Sequence, residues 1–79
     1  MKIYDYNGKK NISGKRIRQT RRKLDLSQGE LAAKMQIEGI IIERDSISRI
    51  EKGTRFVADY ELRFFAKVLN VDVEWLLGM

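Results

Sequence analysis

From Ser13 onward the apolar residues recur at spacings of three and four, the period of helices that bury one face. Ser13 stands where an N-cap belongs. Ile17, Arg21 and Leu24 then share one face of a first helix, while Arg16, Arg18, Arg22 and Lys23 lie mostly elsewhere. Ser27 followed three residues later by Glu30 is a capping box, and the helix it opens carries Leu31, Ala32 and Met35 as its apolar stripe. Only Asp25 and Leu26 bridge the two, so the helices must pack at an angle and share a core. Gly39 marks a turn at which the flanking Ile37 and Ile40 to Ile42 are expected to point inward. A third helix is predicted from about Arg44 to Lys52, with Ile47 and Ile50 inward and Arg44, Asp45, Ser48 and Arg49 outward; Gly53 stops it. A fourth covers about Asp59 to Leu69. There Asp59 and Glu61 suit the N-terminal dipole, Lys67 suits the C-terminal end, and Leu62, Phe65, Ala66 and Leu69 form the buried face. Asp72 is expected to cap a last short helix carrying Val73, Trp75 and Leu76. Residues 1–11, with Ile3, Tyr4 and Tyr6 ahead of Asn7-Gly8, predict an arm or a short extended segment followed by a turn. The reading is an N-terminal arm, 1–11, and one all-α domain, 12–79.

Composition narrows the chemistry. Seventy-nine residues make one small domain, with 43% hydrophobic and 34% charged residues. A single core of this size supplies about 3 to 5 kcal/mol. Cysteine and histidine are both absent, which excludes disulfides, zinc fingers and thiol or imidazole catalysis. The longest aliphatic run, Ile40 to Ile42, is far below the roughly 20 apolar residues that cross a bilayer, and no signal-peptide pattern opens the chain. The expected location is cytoplasmic. Charge is uneven: residues 1–26 hold nine Lys or Arg against two Asp, residues 27–55 hold five against five, and residues 56–79 hold two against four. A basic N-terminal third suits an anionic partner met on one side of the molecule. Nucleic acid leads. A membrane surface is the rival, since Lys15, Arg16, Arg18, Arg22 and Lys23 can decorate a basic amphipathic helix, and a plain solvated face is the alternative to both.

No enzyme is legible. Gly8 to Arg16 reads GKKNISGKR, but its glycines are separated by five residues and Arg16 stands where a phosphate loop needs Ser or Thr for Mg²⁺. Asp59 and Glu61 are two apart on a helix and do not face each other. No cofactor and no metal site are expected.

What remains is a pair of short helices preceded by a basic one. In a helix-turn-helix the second of the pair lies in the major groove and needs an apolar inner face with polar outer side chains, which residues 44–52 have. The order Arg16, Ile17, Arg21, then Leu26-Ser27-Gln28-Gly29-Glu30-Leu31-Ala32, then Ile47-Ser48-Arg49-Ile50-Glu51-Lys52-Gly53, then Leu62, Ala66, Leu69, Val71 and Trp75-Leu76-Leu77-Gly78 resembles the XRE or Cro-type helix-turn-helix family, the lambda-repressor-like DNA-binding domain. The resemblance covers residues 13–78. It implies a compact five-helix domain that binds a double-stranded DNA operator, usually as a homodimer, with no enzymatic activity. Between Ala32 and Ser48 the chain is about five residues longer than the commonest family spacing. A subgroup with a similar Gln-x-x-Gly turn matches Arg55-Phe56-Val57-Ala58-Asp59-Tyr60-Glu61-Leu62 as well.

Carried over by position, the resemblance implies that Glu43, Arg44, Asp45, Ser48 and Arg49 face base edges. Arg44 or Arg49 can donate two bonds to guanine, and Asp45 can accept from cytosine or orient a neighbouring arginine. Gln28, Lys52, Thr54 and Arg55 match phosphate contacts, and Ser46 serves phosphate or the fold. Arg21 and Glu51 match an internal ion pair between the first and third helices. Met35, Phe64, Phe65 and Tyr60 are core or subunit-contact candidates, and Trp75 is either. The second functional reading is a protein–protein interaction module that uses the surface from Tyr60 to Trp75.

Overall fold

A computed structural model describes residues 5–79, so Ile3 and Tyr4 of the expected arm lie outside the described residues. Five helices follow in order: α1 (Gly14–Lys23), α2 (Gln28–Ile37), α3 (Arg44–Lys52), α4 (Asp59–Leu69) and α5 (Val73–Leu76). The all-α expectation holds, and the one β pairing among the described residues is an isolated antiparallel bridge between Tyr6 and Lys9.

Helix ends explain why elements this short stay separate. After α1, Asp25 takes a left-handed φ of 57°, its N–H bonds the Arg22 carbonyl at 3.0 Å, and the Leu26 N–H reaches the Arg21 carbonyl at 3.1 Å. That two-bond closure satisfies the last carbonyls and reverses the chain within two residues. It recurs at Gly39 and Ile40 after α2, at Gly53 and Thr54 after α3, at Asn70 and Val71 after α4, and at Gly78 and Met79 after α5. At the start of α2 the capping box forms as the sequence predicts. Glu30 N–H donates to Ser27 Oγ at 3.0 Å, and Ser27 N–H donates to Glu30 Oε1 at 2.8 Å.

Each helix contributes to one core. Ile17, Leu31, Met35, Ile47, Ile50, Phe65, Leu69 and Leu76 are fully buried. In this core α3 packs against α1 and α2, α4 covers both of them from the other side of the chain order, and α5 closes on α1 and α4.

Several local expectations need correction. Ser13 does not cap α1: it is buried with helical backbone angles, and its side chain makes no cap bond. The cap is Asn11, whose Oδ1 accepts from Gly14 N–H at 2.7 Å. Asp72 stands at the N-cap of α5 but its side chain accepts no cap bond. Of the isoleucines around Gly39, Ile40 and Ile42 are buried, whereas Ile37 is 82% and Ile41 94% exposed, because the turn presents alternate side chains to opposite sides. Leu24 and Tyr60 are exposed, Phe65 and Met35 lie in the core, and Phe64 packs partly buried against it. Trp75 is partly exposed and held by α1: the Arg16 guanidinium sits 4.0 Å from its ring centre, and its Nε1–H donates to Thr20 Oγ1 at 3.3 Å.

The arm is part of the fold. Asn11 Nδ2 donates to the Ile50 carbonyl at 3.0 Å and the Arg55 carbonyl at 2.7 Å, Lys10 N–H bonds the Gly53 carbonyl at 2.8 Å, and Lys9 Nζ reaches the Lys52 carbonyl at 3.1 Å. The segment thereby supplies donors to the C-terminal end of α3, where carbonyls lack partners within the helix. Gly14 lets α1 begin directly on that end, since a Cβ there would collide with the Ile50 carbonyl oxygen.

Two arginine–carboxylate pairs tie the elements together, the first buried on both sides and the second with a buried carboxylate and a half-buried arginine. Arg21, 8% exposed, bonds Glu51 through Nε at 2.7 Å and a terminal nitrogen at 3.0 Å, and its other terminal nitrogen reaches the Leu26 carbonyl at 2.7 Å. The Glu51 hydrogen bonds hold the Arg21 guanidinium above its ordinary pKa, against the opposing effect of burial. Glu61, expected only to favour a helix dipole, is buried and gripped by both terminal nitrogens of Arg55 at 3.0 and 2.9 Å; Ala58 N–H adds a bond at 3.0 Å. Burial pushes the Glu61 carboxyl up, but the Arg55 and Ala58 hydrogen bonds and the Arg55 charge together bring it below the ordinary range. Glu30 is lowered in the same sense by its bonds with Ser27.

Two predictions follow from these pairs. Arg21→Met leaves Glu51 buried without its counter-ion and should cost about 3 to 5 kcal/mol in urea unfolding. Adding Glu51→Leu should restore most of that loss; equal losses in both proteins would reject an uncompensated charge as the cause. The lowered Glu61 pKa means that the unfolded chain binds this proton more readily than the folded one. Its stabilising contribution is present above the ordinary carboxylate range, near pH 4.5, and disappears as pH falls through the folded-state value. Thermal melts from pH 7 to 2 should show Glu61→Gln less stable at neutral pH but losing less on acidification than the parent.

Candidate nucleic-acid interface

Helix α3 has one side for the core and one for solvent. Ile47 and Ile50 are completely buried, Glu43, Arg44, Asp45, Arg49 and Lys52 are exposed, and Ser46 and Ser48 are half-buried. Nine residues at 1.5 Å each make a rod about 13 Å long, commensurate with a major groove roughly 12 Å wide. All five positions expected to face bases therefore lie at the N-cap or on the first turns of α3 with solvent access.

The electrostatics of this face are permissive. Arg44 and Asp45 approach to 3.6 Å while remaining 70% and 71% exposed. A pair this solvated contributes about 1 kcal/mol at most, so either group can exchange its partner for a base edge or a phosphate. Arg49 is exposed, and its side chain makes no hydrogen bond or ion pair among the described residues. Its carbonyl instead accepts from Thr54, both from the N–H at 2.9 Å and from Oγ1 at 3.2 Å, which fixes the loop beyond α3.

Beside α3, a cleft of about 500 Å³ runs between α1, the start of α2 and the outer side of α3. Arg18, Arg22, Gln28, Arg44, Ser48 and Lys52 line it, together with the Arg21–Glu51 pair. Its single acid, Glu51, is already neutralised by Arg21, leaving Arg18, Arg22, Arg44 and Lys52 to set a positive field. The aliphatic stem of Arg44 lies beside the first turn of α2, where a Cβ at Gly29 would stand 3.9 Å from Arg44 Cδ. The capping box occupies Ser27 and Glu30 N–H and leaves the N–H groups of Gln28 and Gly29 without a partner among the described residues. A helix start with open N–H groups beside cations is arranged to receive a phosphate oxygen.

The residues matched to phosphate contacts divide into groups. Lys52, the last residue of α3, and Thr54, just past its end, are exposed. Gln28 faces the cleft but donates its amide to Glu51 Oε1 at 3.1 Å, so it links α2 to the buried pair as well as lining the surface. Arg55 departs furthest from expectation. Its fork is engaged by Glu61, which makes it a structural bracket between the loop and α4. Arg18 and Arg22 were legible only as members of a basic run. Their place on the cleft depends on how α1 crosses α2, which helical period alone does not specify.

No helix among the described residues is long and apolar enough to cross a membrane, and none of their acidic side chains cluster as a metal site. No curated protein matches the chain. A helix-turn-helix family model matches residues 17–76, a span that runs from the first core position of α1 to the end of α5. That match and the five-helix architecture agree: the chain belongs to the XRE-type helix-turn-helix family of DNA-binding transcriptional regulators.

Proposed function

We propose that this protein is a sequence-specific repressor of phage, mobile-element or antitoxin type, acting in the cytoplasm on a double-stranded operator as a homodimer. The observation that carries the reading is the two-sided α3: Ile47 and Ile50 anchor it, while Arg44, Asp45 and Arg49 stand outward beside a cationic cleft. Arg49 is assigned to base recognition because a bidentate guanidinium matches guanine O6 and N7. Lys52, Thr54 and the start of α2 are assigned to the two flanking backbones. Arg55 is left out of the contact set on account of Glu61. The exposed Phe56 and Tyr60, next to the start of α4, are the surface this reading gives to the second copy. Repression then amounts to occupying a promoter.

Selection from random duplexes tests the reading. It should enrich an inverted repeat with half-sites about one helical turn apart; recovery of no preferred sequence would overturn it. On the selected site, Arg49→Ala should lose about 1 to 3 kcal/mol and relax preference at one base pair, whereas uniform weakening on all sequences rejects the base-reading role. Lys52→Ala should behave differently. It should weaken every duplex alike and reduce the logarithmic salt slope by about 1.

A further inference from the structure

The residues before α1 form a shaped element. Tyr6 and Lys9 exchange backbone bonds at 2.6 and 2.9 Å across Asn7 and Gly8, both left-handed with φ of 52° and 80°. Two successive positive φ values make the tight hairpin turn whose twist suits paired extended segments. Lys9, Lys10 and Asn11 bond this turn to the carbonyls at the end of α3, and the stem of Lys9 lies so close to Gly53 that a Cβ there would come within 2.5 Å of it. Its position is therefore set by the same helix that carries the outward arginines.

Between the turn and α1 lies a second cleft of about 660 Å³. Its cationic walls are Lys9, Lys15, Arg18 and Lys52, and its one acid is Glu51, whose side chain is only 3% exposed and is bonded to Arg21. Arg18, Glu51 and Lys52 also line the first cleft, so the two form a continuous basic track around the C-terminal end of α3. The turn lies outside the matched span of 17–76.

We infer that the Tyr6–Lys10 turn is a wing that extends the DNA contact, with Lys9 and Lys15 placed to bind backbone phosphates beyond those reached by α2 and α3. The occupant is duplex DNA because the track continues from the cleft beside α3 with its one acid, Glu51, already paired to Arg21, and because its exposed cations match a line of phosphates; Lys9 Nζ keeps two N–H donors beyond its bond to the Lys52 carbonyl. The contact adds affinity and site length but no base preference. It rests on the DNA-binding reading above.

The test uses the full chain and the duplex selected by the unaltered protein. Lys9→Gln at the turn with Lys15→Gln on α1 removes both charges; the Lys9 Nζ bond to the Lys52 carbonyl is lost as well, while the Lys10 and Asn11 bonds still hold the turn to the end of α3. Arg63→Gln, on an exposed position of α4 outside both clefts, is the charge control. Each neutralised phosphate contributes about 0.9 to the logarithmic salt slope, so the double variant should lose about 1.8 while Arg63→Gln loses little. Base preference at the selected site should be unchanged, hydroxyl-radical protection should shorten at its flank, and circular dichroism should verify that both variants fold. A slope loss no greater than that of Arg63→Gln, with the selected site still recognised, overturns the wing alone. Failure of the selection to enrich any duplex overturns both the wing and the reading on which it rests.

Discussion

Glu51 is the side chain on which the geometry of the domain turns. It belongs to α3, yet it accepts hydrogen bonds from Arg21 on α1 and from Gln28 on α2 while almost wholly removed from water. A buried charge pair does not by itself make a protein more stable than an apolar substitute, because desolvation offsets most of the attraction. What it does restrict is arrangement. An arginine fork and a carboxylate meet well in few relative orientations, so α1, α2 and α3 can settle into one crossing and few others. Ile47 and Ile50 supply apolar attraction that tolerates small slides, and the Glu51 bonds remove that freedom. The outward side chains of α3 inherit the resulting precision.

The same C-terminal end of α3 is also secured by backbone chemistry. Asn11, Lys10 and Lys9 bring donors to the carbonyls at Ile50, Gly53 and Lys52, and Gly14 permits the close approach of α1. A helix of nine residues is marginal in isolation, and its persistence here comes from tertiary partners at both sides and one end. Recognition through such a helix requires little motion of its own backbone, since the groups that face solvent are side chains with weak or no internal commitments.

Most of the architecture was legible because its signals are local. A capping box lies within four residues, and a glycine closes α3 where the apolar period stops; the Arg21–Glu51 pair was implied by the family resemblance, which Arg21 on an otherwise apolar stripe suits. The failures have the opposite character. Asn11 and Ser13 are equally good caps by composition, and the choice between them is made by α3 carbonyls some 39 residues away. Ile41 has the same chemistry as Ile42 but stands on the other side of a turn. Arg55 and Glu61 are six residues apart across a loop, a separation at which neither helical nor strand period predicts contact. The outward face of α3 was readable from residues 44–52 alone; its cationic neighbours on α1 depended on a crossing that only packing determines.

The connection between α2 and α3 is self-contained: Gly39 and Ile40 close it on the α2 side, and Gln36 Nε2 donates to the Ile42 carbonyl at 2.8 Å across it. Ile40 and Ile42 plug into the core, so the intervening Ile41 projects from a loop whose two feet are independently fastened. Chain length can therefore change at this tip with little mechanical transmission to the helices on either side. The same property makes position 41 a natural attachment point for a spectroscopic label or a grafted peptide, since an insertion there leaves α2 and α3 held by their own fastenings.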